Sequence, residues 1–521
     1  MMVKTRHCLT FTCLAAALLL WGCGRSEPTG RSRDELRIAI PTPPASLDPH
    51  QVADEVCNSF CLHFFDPLVI LDANLKVRPW VASAWQNPDP QTWIFTIRPD
   101  IRFQDGCLLT AADAAYSLER IRSLPNSPKQ PLLLAIRSVQ ALDSRRLKIV
   151  TRTPYMPLLP KLAQVMIVPE HYYRPAPLEY VRFHPMGSGP YRLVQPLSPG
   201  EFVLTSVGSH WSGIHPAPTL RFFIVPEDRR RSRMLLDGEV DFIKEPDPAT
   251  FPELEHSGRL RLIIRPGIRL IYLGLSFRDR LRDGTPNPFR DRAVRQAVSC
   301  ALNRADLVGG PLQSLAEPAD DIVPPQVFGH VPDQTVPLHD SGRARELLRQ
   351  SDFPREREFL LYYPENKYFR IRETVTLCAR QLAEAGIRVR PVAVAPEEFA
   401  RQNFMAGGYD LFVTGWIPVS GDASDYFDHC FYTRGKAPGY GSFNYVGYSN
   451  PMLDDMIEES ATIAQRDKRL AVLQQILSRA TDDLIWIPLV YLKDTAAYRK
   501  DLVWQPRIDR YLLAYQITTV K

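Results

Sequence analysis

Leu36, Ile38 and Ile40 alternate with Arg37 and Ala39, a period of two that predicts a half-buried strand ending at the turn Pro41 to Pro44. Trp93 to Arg98 reads as a second strand. Thr110 followed by Asp113 has the spacing of a capping box, and Ala114, Leu118 and Ile121 then fall on one face of the helix it opens. Asp291 can cap a further helix whose apolar face is Val294, Val298, Ala301 and Leu302. A helix carrying Cys378, Leu382 and Ala385 stops at Gly386, a natural residue just past a helix end, and a strand follows with Ile387, Val389 and Pro391 between arginines. Tyr409 to Trp416 is the next strand. Asn450 and Pro451 start a helix with Leu453, Met456 and Ile457, and Leu470, Leu473 and Leu477 mark another. Helices alternating with strands predict a mixed α/β architecture.

The first residues break this pattern. Lys4 and Arg6 precede a mostly apolar stretch from Leu9 to Trp21, which is a signal-peptide core too short to span a bilayer stably. It ends Leu20-Trp21-Gly22-Cys23 and passes into a polar stretch from Gly24 to Asp34. This resembles a bacterial lipobox, in which the cysteine is lipidated and becomes the new amino terminus, so Cys23 is expected to be a membrane anchor. The alternative is an ordinary cleaved leader with a chance cysteine. No second long apolar run follows, so a tethered body without a membrane span is expected.

A length of 521 residues suggests two to four domains. Hydrophobic residues at 45% and charged residues at 23% disfavour disordered and fibrous classes. The 47 prolines are scattered, which predicts many fixed turns. Without Lys4 and Arg6 the formal charge of +5 falls to +3, close to neutral. The run Arg229, Arg230, Arg231, Arg233 lacks the aromatic interleaving of a nucleic-acid surface and reads as a solvated helix face, so no nucleic-acid partner is expected. Beyond the leader and Cys23 the cysteines are Cys57, Cys61, Cys107, Cys300, Cys378 and Cys430. They are either buried thiols or disulfide partners, with Cys57 and Cys61 on one face of a helix.

Several short segments occur in order along the chain. They include Ser46-Leu47-Asp48-Pro49, Phe65-Asp66-Pro67-Leu68-Val69, Phe103-Gln104-Asp105-Gly106, Ser117-Leu118-Glu119-Arg120, Gly187-Ser188-Gly189-Pro190-Tyr191, Gly238-Glu239-Val240-Asp241, Tyr272-Leu273-Gly274, Arg292 to Ala297, Gly415-Trp416 and Trp486-Ile487-Pro488-Leu489. Together they resemble the extracellular solute-binding proteins of family 5, which include oligopeptide-, dipeptide- and nickel-binding receptors of ABC importers. The resemblance implies an α/β, two-lobed periplasmic-binding-protein fold of class II type with an extra domain, mixed sheets, flanking helices and a ligand cleft between lobes. The expected divisions are a signal peptide at 1–22, a lipidated cysteine and tether at 23–35, and a first lobe from 36–50, 183–268 and 490–521. An inserted domain at 51–182 and a C-terminal lobe at 269–489 complete the chain. Most of these segments also have a plain structural reading as turns or capped helices, so they point to the fold rather than the site.

The resemblance further implies a lipid-anchored component of an ABC importer that takes a peptide or peptide-like solute and delivers it to a permease and its ATPase subunits. A monomer is expected, outside the cytoplasm at a bacterial membrane. The rival is a ligand-presenting sensor or chaperone accessory not coupled to transport. Ligand-edge positions carried over are Asp54 and Glu55, Tyr272 and Gly274, and Gly415, Trp416 and Ile417. Trp416 either walls the cleft or packs in a core, and Asp54 and Glu55 either face the ligand or face solvent. Oligopeptide receptors place an aspartate for the ligand's α-ammonium three residues after the tryptophan, and here that position is Val419. The ligand is then amine-blocked, cyclic or not a peptide, or else its ammonium is displaced toward Asp422 or Asp425. No G-x-S-x-G, H-E-x-x-H, G-x-x-x-x-G-K-[ST] or G-x-G-x-x-G motif occurs, and the eleven histidines are scattered, so neither enzyme, metal nor cofactor is expected.

Overall fold

The computed structural model describes residues 34–195, 200–405, 408–438 and 440–520. The leader, Cys23 and nearly all of the tether lie outside the described residues. No helix among the described residues is long and apolar enough to cross a membrane.

The predicted first strand is Glu35–Ile40, which pairs in parallel with Thr219–Ile224 and with Phe242–Lys244. These belong to an eleven-stranded sheet in which Leu260–Leu275 and Trp486–Arg499 run antiparallel as the two longest strands. Their register shifts between Arg265 and Arg269. On one side of the shift, Ala496 and Tyr498 join a core with Leu36, Ile38 and Phe222. On the other, Leu273 and Ile487 pack with Val294 and Leu382, while Leu270, Tyr272 and Trp486 pack with Phe431 and Leu477. The two strands therefore run continuously from one lobe into the other. The helix Glu55–Phe64 buries Cys57, Phe60 and Phe64 against the first of these cores. Each such fully buried side chain contributes about 1.5–3 kcal/mol.

A separate four-stranded sheet, ordered Ala82–Asp89, Thr92–Ile97, Arg146–Thr151 and Ile136–Ala141, packs on the helix Ala111–Ser123. Here the predicted capping box forms, with Asp113 accepting from Thr110 N at 2.9 Å. Asp291 caps Arg292–Ala301 through Ala293 N at 2.8 Å, and Asn450 caps Pro451–Thr462 through Met452 N at 3.1 Å. Two of the short motifs meet each other: Arg120 holds Asp48 in a buried pair at 2.6 Å. A third, around Asp66, accepts from Trp80 at 2.6 Å, Ser188 at 2.8 Å and Trp211 at 3.1 Å. These carboxylates are satisfied by the protein and hold the fold.

The arginine run departs from expectation. Arg229, Arg230 and Arg233 are exposed on the helix Asp228–Leu236, but Arg231 is buried and donates to the carbonyls of Val225, Pro226, Lys244 and Glu245 at 2.6–3.2 Å. Hydrogen bonds to four carbonyls offset the cost of burying one guanidinium, which is why the solvated-face pattern fails at that position. All six cysteines are free thiols, and Cys57 and Cys61 are both buried.

Candidate ligand-binding site

Asp54 and Glu55 start one helix, yet their side chains do different work. Asp54 caps it, accepting from Cys57 N at 2.9 Å. Glu55 is half-buried among cations: Lys244 Nζ at 3.0 Å, Arg510 Nε at 3.3 Å, and Arg269. Burial opposes its ionisation, but Lys244, Arg510 and Arg269 outweigh that and hold the carboxyl well below the usual range. Arg510 also binds Asp494 at 2.7 Å and Glu245 at 2.8 Å, and Arg265 binds Asp494 at 3.1 Å. A small cavity adjoins this cluster, lined among others by Arg265, Asp494, Trp504, Arg507 and Tyr511.

Arg269 links the cluster to the other lobe. Its guanidinium lies 5.3 Å from the Tyr368 ring centre, and the Tyr368 hydroxyl reaches the Gly415 carbonyl at 3.4 Å. A Cβ on Gly415 would sit 3.0 Å from Ile271 and 3.1 Å from Tyr368, so only glycine fits there without a shift. Trp416 follows, half-buried, with its ring 5.5 Å from Phe443. Phe443 is in turn 5.9 Å from the ring of His429. His429 Nε2 stands 3.4 Å from Lys161 Nζ, and Lys161 pairs with Asp428 at 2.8 Å, where Tyr155 also donates at 2.9 Å. Burial first, and Lys161 second, push the His429 ring well below the usual pKa, so it is neutral.

Five side-chain atoms along this path are buried without a hydrogen-bond partner: Arg265 Nε, Arg269 Nε, Trp416 Nε1, Asp428 Oδ1 and His429 Nδ1. Such a group costs about 1–3 kcal/mol when left unpaired, and native interiors rarely tolerate several together. A polar ligand running from Arg269 past Trp416 toward His429 would supply the partners.

The structure thus brings Glu55, Gly415 and Trp416 into one path, with Ile417 half-buried beside them and packed on the same core as Trp486. Tyr272 and Gly274 are elsewhere in the packing. The Tyr272 ring stacks on Trp486 at 3.6 Å and is buried, and a Cβ on Gly274 would lie 2.4 Å from the Phe412 ring. Asp422 is engaged by Arg469 through both oxygens, at 2.5 and 2.9 Å. Asp425 is buried, accepts from Ser420 N at 2.8 Å and has no cation bonded to it; burial pushes its pKa up to about 6. Sequence reasoning missed Arg269, Tyr368, His429 and Lys161. Nothing local marks them, because each acquires its role from a partner more than forty residues away.

Two lobes joined by continuous strands, with unsatisfied polar groups on the path between them, define a solute-binding fold. The chain belongs to the bacterial extracellular solute-binding proteins, family 5, whose model matches residues 76–438. It is 26% identical over 498 residues to the glutathione-binding protein GsiB of Pectobacterium atrosepticum, covering 92% of each chain. Among solved structures it is similar to the periplasmic binding protein DppA of Helicobacter pylori in complex with the peptide STSA. That likeness has a TM-score of 0.82 at 18% identity and covers 94% and 98% of the two chains. A comparable likeness, with a TM-score of 0.79 at 20% identity over 94% of this chain and all of the other, is to NikZ of Campylobacter jejuni in complex with Ni(L-His). The family consists of solute-binding proteins rather than enzymes and acts outside the cytoplasm.

Proposed function

We propose that the chain is the substrate-binding component of an ABC importer, capturing a small peptide-like solute between its lobes and delivering it to a membrane permease. The observation that carries this is the run of buried, unpaired polar atoms from Arg269 through Trp416 to Asp428 and His429. A peptide backbone offers a carbonyl and an N–H at each unit, which is the chemistry such a run lacks. The names of its relatives, a glutathione-binding protein and a peptide-bound periplasmic protein, support the same ligand class. Glu55, Arg269, Tyr368, Gly415, Trp416 and Ile417 line the site in this reading. Arg265 and Arg269 then favour a carboxylate at one end of the ligand.

Calorimetric titration with glutathione, unmodified tripeptides and Ni(L-His) tests the reading. At least one peptide-type ligand binds, and Trp416→Ala weakens it by about tenfold or more, the scale of losing an aromatic wall. If none binds while Ni(L-His) does, the peptide reading falls. Coupling to import is tested by uptake of the same ligand in cells with and without the gene.

Lipid attachment at Cys23 belongs to this proposal. Cys23→Ser should move the protein from the membrane fraction to the soluble fraction, because multiple acyl chains at about 0.8 kcal/mol per buried methylene give stable anchoring. Identical fractionation of the two forms would refute the anchor.

A further inference from the structure

The inserted domain carries a second chemical cluster outside the ligand path. Phe103 to Leu109 makes a tight turn in which Gly106 adopts φ +92°, Phe103 N donates to Cys107 O at 2.8 Å, and Cys107 N donates to Asp105 Oδ1 at 3.0 Å. That turn fixes Asp105 and Cys107 side by side. His171, on the short helix Glu170–Tyr173, brings Nε2 to 2.6 Å from Asp105 Oδ2. One thiol, one imidazole and one carboxylate atom thus lie within 4.8 Å of one another, and all three residues are exposed. Cys107 is the exposed member of the six free cysteines; the other five are buried. An exposed thiol with no disulfide partner in an extracytoplasmic protein is open to oxidation, so a protecting partner is worth seeking.

We propose that Asp105, Cys107 and His171 form a surface site for a divalent transition-metal ion of the Zn²⁺ type, with water in the fourth position. The donor set is one sulfur, one nitrogen and one oxygen, which suits zinc and cobalt and disfavours the hard ions magnesium and calcium. Ligand atoms around a tetrahedral zinc stand roughly 3.5 Å apart, given bonds of about 2.0–2.3 Å. Rotation of exposed side chains reaches that spacing from the present one. On binding, the His171 ring keeps its proton on Nδ1 and coordinates through Nε2, and the Cys107 thiol releases its proton to solvent, so uptake acidifies the medium.

The test uses untagged, reduced, chelator-treated protein. Titration with Co²⁺ should develop a thiolate-to-cobalt charge-transfer band saturating at one equivalent, and Zn²⁺ should abolish it. Cys107→Ser should remove the band, and His171→Ala should weaken binding about tenfold or more. Zn²⁺ should slow alkylation of Cys107 by a similar factor. Both substitutions are at exposed positions, and an unchanged Tm will show that the fold is intact. No band and no protection overturns the proposal. So does Co²⁺ binding that both variants leave unchanged, which would place the ion elsewhere, the interlobe path included.

Discussion

Asp422 and Asp425 are three residues apart in the same loop, and what separates them is a counter-ion. Asp422 is held by Arg469 and stays ionised, its burial outweighed by that pairing. Asp425 has no cation of its own because Lys161 is committed to Asp428. Burial raises Asp425 from the ordinary 3.8 to about 6, so the folded state binds its proton more tightly than the unfolded state does. Its contribution to stability is therefore full below about pH 4 and is lost as pH rises through about 6, by ~3 kcal/mol in total. Asp425→Asn keeps an acceptor for Ser420 N and removes the titration. Urea unfolding should show the variant gaining on the native protein by about that amount between pH 4 and pH 7.5. We propose the same carboxylate, which has no bonded cation, as the partner for a ligand ammonium, since Val419 offers none and Asp422 is engaged by Arg469. A free-amine tripeptide should bind more tightly at pH 7.5 than at pH 5, and Asp425→Asn should cancel the dependence. N-acetylated forms binding as well as free ones, with no pH dependence, would mean that the ligand's amino end is not read here.

Secondary-structure elements show where local rules suffice. Caps at Thr110, Asp291 and Asn450 form as expected because a cap and the N–H it satisfies are two or three residues apart. Arg231 shows where they stop. Arg229, Arg230 and Arg233 on the same helix are exposed, while the carbonyls of Lys244 and Glu245, brought in by tertiary packing, and those of the preceding Val225 and Pro226 draw Arg231 inward. Arg231→Met should strip four carbonyls of the guanidinium they bond and cost about 3 kcal/mol or more, while Arg229→Ala and Arg230→Ala should each stay within about 0.5 kcal/mol. Equal denaturation midpoints for all three would contradict this account. The candidate site divides in the same way. Gly415 and Trp416 were legible because they form a contiguous motif. Arg269 was not, since an arginine in the alternating strand Leu260–Leu275 looks like any solvent-facing residue until Glu55 and Tyr368 are placed beside it.

At the scale of the whole molecule, the region of the four-stranded sheet and the turn Phe427–Phe431 meet at a buried ion pair. Lys161, on the helix Leu158–Leu162, is 2% exposed and Asp428, in the turn Phe427–Phe431, is 1% exposed, so neither charge has water to fall back on. Beside them Met156 N donates to Ala461 O at 2.8 Å, and Ala461 packs in the same core as Leu158 and Leu162. If ligand release separates the lobes, both charges are rehydrated, and the pair acts as a latch whose energy depends on both partners. Removing one leaves the other buried and unpaired, a cost of about 3–5 kcal/mol borne only by the closed form. Replacing both with apolar residues of similar size is close to neutral, because the desolvation cost disappears along with the attraction. Lys161→Met should therefore favour the open form and lower ligand affinity by about hundredfold or more, at about 1.4 kcal/mol per tenfold. Lys161→Met with Asp428→Leu should restore the closed form but not the full affinity, because Asp428 Oδ1 is one of the atoms offered to the ligand. Small-angle scattering of the ligand-free single variant should give a larger radius of gyration than the native protein, with the double variant returning toward it. Scattering and affinity unchanged in Lys161→Met would show that these two regions stay together throughout the binding cycle, and the opening would then have to occur between the remaining parts of the molecule.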